Sequence, residues 1–191
     1  MRKAFPRTGT DWKTLEAEMA GMSDGDIDWR HGRAPLYVFH GSDRAHEVGK
    51  QAFMNFFSEN ALGGRRAFFG LKRMEDEVVE MGLDLFQAPD GAVGNLSTGG
   101  SESILMAVKA ARDWGRDQAR LKEPFNIIVP YTAHAAFNKA ADVMDMEVRR
   151  IAAGPSRRAD VGAMAAAIDD HTIMLVGSAP CFPHGVIDGI D

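Results

Sequence analysis

Apolar residues recur at helical spacing through the first two thirds of the chain and give way to short apolar runs after residue 120. Over residues 43–60 the repeating positions are Val48, Ala52, Phe53, Phe56 and Phe57. Over residues 71–86 they are Met74, Val78, Met81 and Leu85, and Pro89-Asp90-Gly91 then breaks the pattern. A third helix is predicted from near Gly100 to about Arg120, with Ile104, Leu105, Val108, Ala111 and Trp114 on its buried side. Beyond it, residues 125–130, 147–152 and 172–176 read as strands, and residues 133–144 and 161–169 as the helices between them. Strands alternating with helices through short connections predict right-handed βαβ units, a mainly parallel sheet and an α/β class.

Residues 1–35 break this regularity with Gly, Pro and mixed charge around one short helix, residues 12–19, and a second aromatic anchor at Trp29. The predicted organisation is an N-terminal helical arm over residues 1–42 and one α/β domain over residues 43–191. The tryptophans imply that the arm packs on something, a second subunit being one candidate.

Composition excludes several classes of function. A 191-residue chain with 45% hydrophobic and 26% charged residues has an ordinary globular balance. A net charge of -5 with scattered basic residues gives no nucleic-acid footprint. There is no apolar run long enough to span a membrane and no apolar segment after the first residues. Cys181 is the single cysteine, which fits a reducing, cytoplasmic setting.

Chemistry concentrates in three loops. Asn95-Leu-Ser-Thr-Gly-Gly-Ser-Glu-Ser103 places two glycines and four hydroxyls at the start of the third helix. Residues without a Cβ permit close approach, and free amides at a helix N-terminus point toward an anion, so the segment is either a phosphate cradle or a tight loop. It matches neither Gly-x-x-x-x-Gly-Lys nor Gly-x-Gly-x-x-Gly. His134 follows a strand, at the end of a parallel sheet where ligands bind, although a lone histidine is more often a structural residue. Ser178-Ala-Pro-Cys-Phe-Pro-His-Gly185 is a rigid loop after another strand. Within it Cys181 reads as an inert buried thiol, and His184 has no partners at metal-ligand spacing, so no metal is predicted. Glu75-Asp-Glu77 and Asp169-Asp170 read as solvated helix faces or ends.

In order, Ser97-Thr-Gly-Gly-Ser-Glu-Ser-Ile-Leu-Met106, Thr132-Ala-His-Ala-Ala-Phe-Asn-Lys-Ala140 and Ala179-Pro-Cys-Phe-Pro-His-Gly-Val-Ile-Asp188 resemble the sphingosine-1-phosphate lyase family. That family belongs to the pyridoxal-phosphate enzymes of fold type I, on the group II decarboxylase branch. The resemblance covers residues 36–191 and implies the N-terminal part of the large domain, with a homodimer as the complete protein. It implies pyridoxal 5'-phosphate as cofactor, held by Thr98, Gly99, Gly100 and Ser101 at its phosphate and by His134 stacked on its ring. Ser101 replaces the more usual threonine. Ala135-Ala136-Phe137 lacks the serine that decarboxylases of the branch carry two residues after the histidine.

The implied reaction is retro-aldol cleavage of a phosphorylated long-chain amino alcohol, as in sphingolipid metabolism, with Asn60 of Asn60-Ala-Leu-Gly63 near the substrate. Gly63-Gly-Arg-Arg66 stands where the family has His and Asp, and Cys181 replaces its glutamine, which leaves a related phosphorylated amine open as substrate. The family's cofactor-linking lysine and its aspartate for the pyridinium nitrogen both follow the third motif and are absent from these 191 residues. Lys109, Lys122 and Lys139 have no suitable loop context. The chain is therefore expected to be a truncated form, inactive alone and prone to associate. The alternatives are an amino-acid decarboxylase of the same branch and a non-catalytic short paralogue bound to a full-length partner.

Overall fold

The computed structural model describes residues 4–34, 37–64 and 66–190; Arg65 of the Gly63–Arg66 segment and Asp191 lie outside them. Its elements in chain order are α1 (Trp12–Met22), α2 (Asp43–Asn55), a 3-10 turn (Ala61–Gly63), α3 (Phe69–Leu85), α4 (Gly100–Arg116), β1 (Asn126–Pro130), α5 (Ala136–Val143), β2 (Glu147–Ile151), α6 (Val161–Ala166) and β3 (Thr172–Leu175). The chain divides into two compact units, residues 1–74 and residues 75–191, the boundary falling inside α3.

In the first unit the helices start where their caps dictate. Asp11 accepts the Thr14 amide at 3.0 Å, and Ser42 accepts the Ala45 amide at 3.1 Å. Trp29 lies against the His40 and His46 rings, each at 5.4 Å between centroids, and the Arg30 guanidinium sits 4.2 Å from the Trp29 ring.

The second unit is built on a three-stranded parallel sheet in the order β2-β1-β3. All five β1 residues are buried, as a parallel strand covered on both faces requires. Ile127 and Val129 join Val108 of α4, Ala140 and Ala141 of α5, and Val176 in one core cluster. The buried Asn126 is fully partnered. Its Nδ2 donates to Asp169 at 3.0 Å, and its Oδ1 accepts from the Thr172 hydroxyl at 2.9 Å. Asp169 also accepts from Arg149 at 2.6 Å, and these bonds hold its carboxyl well below the usual carboxylate range. It ties β1, β2 and β3 together at their amino ends, which corrects its reading as a merely solvated residue.

Helix α4 runs antiparallel to the strands. Gly115, near its C-terminus, sits against Phe125 and Ile173 at the amino ends of β1 and β3, while Val108 is completely buried against the sheet's middle. At about 1.5 Å per residue the helix N-terminus lies roughly 22 Å away, at the carboxyl edge.

Three expectations need adjusting. Trp114 is half-exposed, and Gly115 takes the buried position, because backbone packing leaves no room for a side chain there. Helix α5 begins at Ala136 and not at residue 133, since residues 131–135 form a turn. Helix α2 ends at Asn55 and leaves Phe56 and Phe57 in the following turn, while Val48 and Phe53 of α2 and Val78, Met81 and Leu85 of α3 lie on helices as predicted and are exposed.

The packing at Gly115 reverses the usual effect of glycine in a helix. A Cβ there would stand 2.8 Å from Ile173 Cγ2 and 3.3 Å from Phe125, whereas one at Gly82 in α3 would meet nothing within 4 Å. Gly82→Ala is expected to stabilise by about 0.5–1 kcal/mol through helix propensity. Gly115→Ala is expected to destabilise by about 1–2 kcal/mol, because overpacking outweighs that gain. Urea unfolding of both variants checks the signs, and a stabilised Gly115→Ala would contradict the packing of α4.

Candidate functional site

The carboxyl edge of the sheet gathers three pieces of backbone: the start of α4, the turn from β1 into α5, and the loop after β3. The start of α4 is capped by Gly99, with φ 157° and ψ 172°. Ser103 donates its amide to Gly99 O at 3.1 Å, but the first helical amides, those of Gly100, Ser101 and Glu102, precede the first intrahelical bond. A Cβ at Gly99 or Gly100 would meet nothing within 4 Å, so the space over this turn is open. Ser101 is exposed, and none of the described residues hydrogen-bonds its hydroxyl.

The neighbouring hydroxyls are already engaged. Ser97 Oγ donates to Gly99 O at 3.0 Å and lies 2.6 Å from Ser103 Oγ. Thr98 donates both its amide, at 2.6 Å, and its hydroxyl, at 2.5 Å, to the same Glu102 oxygen. Thr98 therefore shapes the turn, and the open donors to an anion are the Gly100, Ser101 and Glu102 amides with the Ser101 hydroxyl. The Thr98 hydroxyl, then its amide, hold the Glu102 carboxyl below its ordinary value.

His134 is exposed on the turn leaving β1. Its Nδ1 accepts the Ala136 amide at 3.1 Å; an amide can only donate, so the neutral ring carries its proton on Nε2. Phe182, from the loop after β3, approaches edge-on with ring centroids 6.4 Å apart. Two residues before His134, Thr132 is buried with its hydroxyl unpartnered.

The loop carrying Phe182 is held from beneath. Asp188, 3% exposed, accepts the Ser178 amide at 2.8 Å and the Ala159 amide at 2.7 Å, while Cys181 and Val186 close the turn with a 2.8 Å backbone bond. Cys181 is buried, in keeping with its reading as an inert thiol.

Asn60 lies in the first unit and accepts the Gly63 amide at 3.2 Å, capping the 3-10 turn. Of the lysines considered, Lys109 pairs with Asp113 along α4, and Lys122 pairs with Asp170 at 2.6 Å. Lys122 and Asp170 precede β1 and β3, so this pair sits at the amino edge, opposite His134. Lys139 lies exposed on α5 beside Asn138 and Asp142. Among the described residues no group of three or more His, Cys, Asp or Glu could hold a metal ion, and no helix is long and apolar enough to cross a membrane.

The sequence reading missed Glu102, although a glutamate at the third position of a helix is a known capping signal. Because its folded carboxyl is held low, the clasp contributes above the ordinary carboxylate value and is lost as pH falls through the lowered one. Glu102→Ala is expected to speed exchange of the Thr98 amide by about tenfold, while Glu102→Gln keeps an acceptor and most of the protection. Amide exchange by NMR measures this; equal exchange in parent and Glu102→Ala would contradict the clasp.

No family model matches the chain. Sphingosine-1-phosphate lyase 1 of Rattus norvegicus is 39% identical over 188 residues, which are 98% of this chain and 33% of that protein. A probable L-tyrosine/L-aspartate decarboxylase of Methanothrix thermoacetophila is 39% identical over 147 residues, 77% of this chain and 37% of that protein. Among solved structures, the sphingosine-1-phosphate lyase of Burkholderia pseudomallei superposes with a TM-score of 0.87 at 34% identity, covering all of this chain and 45% of that one. The chain thus spans about a third of the length of the curated relatives it matches. Matched from end to end in sequence and in its α/β architecture, the chain is homologous, over the part it covers, to the sphingosine-1-phosphate lyases.

Proposed function

We propose that this chain supplies the phosphate cradle and the ring-facing wall of a pyridoxal-phosphate-dependent lyase that cleaves a carbon–carbon bond in a phosphorylated long-chain amino alcohol. The observation that carries this reading is the placement of the α4 start and the His134–Phe182 pair on one carboxyl edge of a parallel sheet, in a chain similar throughout to sphingosine-1-phosphate lyases.

The residues fit the cofactor. The open space over Gly99 and Gly100 admits a phosphate that a Cβ would crowd, and the helix start offers it amides and the Ser101 hydroxyl. Thr98 serves the same group indirectly, by fixing the turn through Glu102. His134, its ring set by the Ala136 amide, is the group assigned to the pyridine face. Pyridoxal phosphate, when bound, supplies the electron sink that makes such a bond cleavable. His134 and Phe182 contribute orientation, because the bond to be broken must stand perpendicular to the ring plane, and a clamped plane sets that angle. Asn60 is assigned to the substrate. No lysine of this chain is assigned to bond the cofactor, so turnover is proposed for a polypeptide that also carries such a lysine. A homodimer in a reducing, cytoplasmic compartment completes the reading, supported by the exposed apolar helix faces and the single buried thiol.

A decarboxylase of the same branch is the second reading, favoured by the similarity to the Methanothrix protein. Two measurements test the proposal. The protein should bind pyridoxal phosphate more tightly than pyridoxal, and His134→Ala should weaken pyridoxal phosphate binding about three- to tenfold, the worth of one ring contact. Equal affinity for both ligands would count against the cradle. With a phosphorylated long-chain amino alcohol, the lysine-bearing protein should release aldehyde; carbon dioxide from an amino acid, with no aldehyde, selects the decarboxylase instead.

A further inference from the structure

We infer that Arg150 is the positioning residue for His134, an assignment that rests on the proposed role of His134 at the cofactor ring. Arg149 and Arg150 are consecutive on β2, and strand alternation sends them to opposite faces. Arg149 binds carboxylates, Glu147 at 3.2 Å and Asp169 at 2.6 Å. Arg150 has no carboxylate among its partners in the described residues. Its Nη1 donates to three backbone carbonyls of a single turn, Pro130 at 3.3 Å, Tyr131 at 3.0 Å and Ala133 at 3.2 Å, and its Nε donates to Asn138 of α5 at 3.1 Å.

Those carbonyls belong to the segment that delivers His134. Parallel pairing sets Val129 opposite Arg150, so the guanidinium stands directly beside the point where β1 ends and the turn begins. Three carbonyl oxygens converging on one spot repel one another unless a cation sits between them. The turn's own closing bond, from the Ala133 amide to Pro130 O at 3.0 Å, accounts for one of the three. Arg150 supplies the remaining attraction and, through Asn138, ties the turn to the first residues of α5. His134 is then fixed from both sides: its backbone follows a clamped Ala133, and its ring is held by the Ala136 amide. A lysine cannot replace this arrangement, because an ammonium has no planar fork with which to reach the turn and Asn138 together.

The test compares Arg150→Lys and Arg150→Met with Arg149→Lys, a change on the same strand but the opposite face. The parent His134 should show the nitrogen shifts of one tautomer, protonated at Nε2. Both Arg150 variants should move the two ring nitrogens toward averaged values, and Arg149→Lys should not. Pyridoxal phosphate affinity should fall about twofold to fivefold in the Arg150 variants, no further than in His134→Ala, through which Arg150 acts. Affinity for inorganic phosphate, which the α4 start would bind alone, should stay within about twofold. A folded Arg150→Met with parent-like His134 shifts and parent-like pyridoxal phosphate affinity overturns the assignment. So does an equal loss of affinity for both ligands, since Arg150 would then act on the whole unit. If Arg150→Met does not fold, Arg150→Lys decides by the same criteria. A parent that binds pyridoxal phosphate no better than inorganic phosphate removes the cofactor reading, and the His134 spectra still decide the role of Arg150.

Discussion

Burial of strand β1 on both faces is the constraint on which the rest of the second unit depends. Five consecutive residues without solvent contact must be covered by α4, α5 and α6 and flanked by two strands. Parallel pairing then forces every strand to end at the same edge. The turn bearing His134 and the loop bearing Phe182 meet because β1 and β3 share that edge, and α4 points its free amides there because it must run back to start β1. The site is a consequence of sheet direction before it is a matter of particular side chains.

Two carboxylates hold the backbone of this edge, and they do so differently. Asp188 is buried and binds two amides from distant loops, so it ties parts of the fold that the chain alone would not bring together. Glu102 is exposed and binds two donors of a residue four positions away, so it shapes a turn locally. Neither is placed to carry chemistry on a substrate. Both are acceptors for backbone groups that would otherwise lack a partner in a loop that has no ladder of its own.

Most of this architecture was legible in the sequence, because the signals were local. The β-branched run before Pro130 declared β1, and Gly99-Gly100 followed by an amphipathic stretch declared the start of α4, whose end falls at Arg116 and not near Arg120. Errors arose where tertiary packing decides. Trp114 looked like a core residue by periodicity, yet the helix approaches Ile173 too closely for anything but glycine one position later. Residues 133–135 read as helix because Ala-His-Ala contains no breaker; what stops the helix is the set of bonds to the carbonyls of the turn. The position of Glu102 signalled a cap, but its partner Thr98 lies one residue before the capping Gly99, so the capping-box pattern does not name the residue it binds. The assignments of Asn60 to the substrate and of His134 to the cofactor ring rest on family resemblance, since neither residue carries a local signal of ligand binding.

The two adjacent arginines of β2 have a consequence for how the protein can change over generations. Their partners lie on opposite faces, so strand length matters more here than residue identity. Inserting one residue between Asp145 and Glu147 would exchange the faces of Arg149 and Arg150, taking one from its carboxylates and the other from the His134 turn in a single step. Around Gly154–Arg158, where the backbone is exposed and holds no such pair, added length has no comparable effect. Relatives of this chain should therefore vary in length after β2 and keep a fixed count before it.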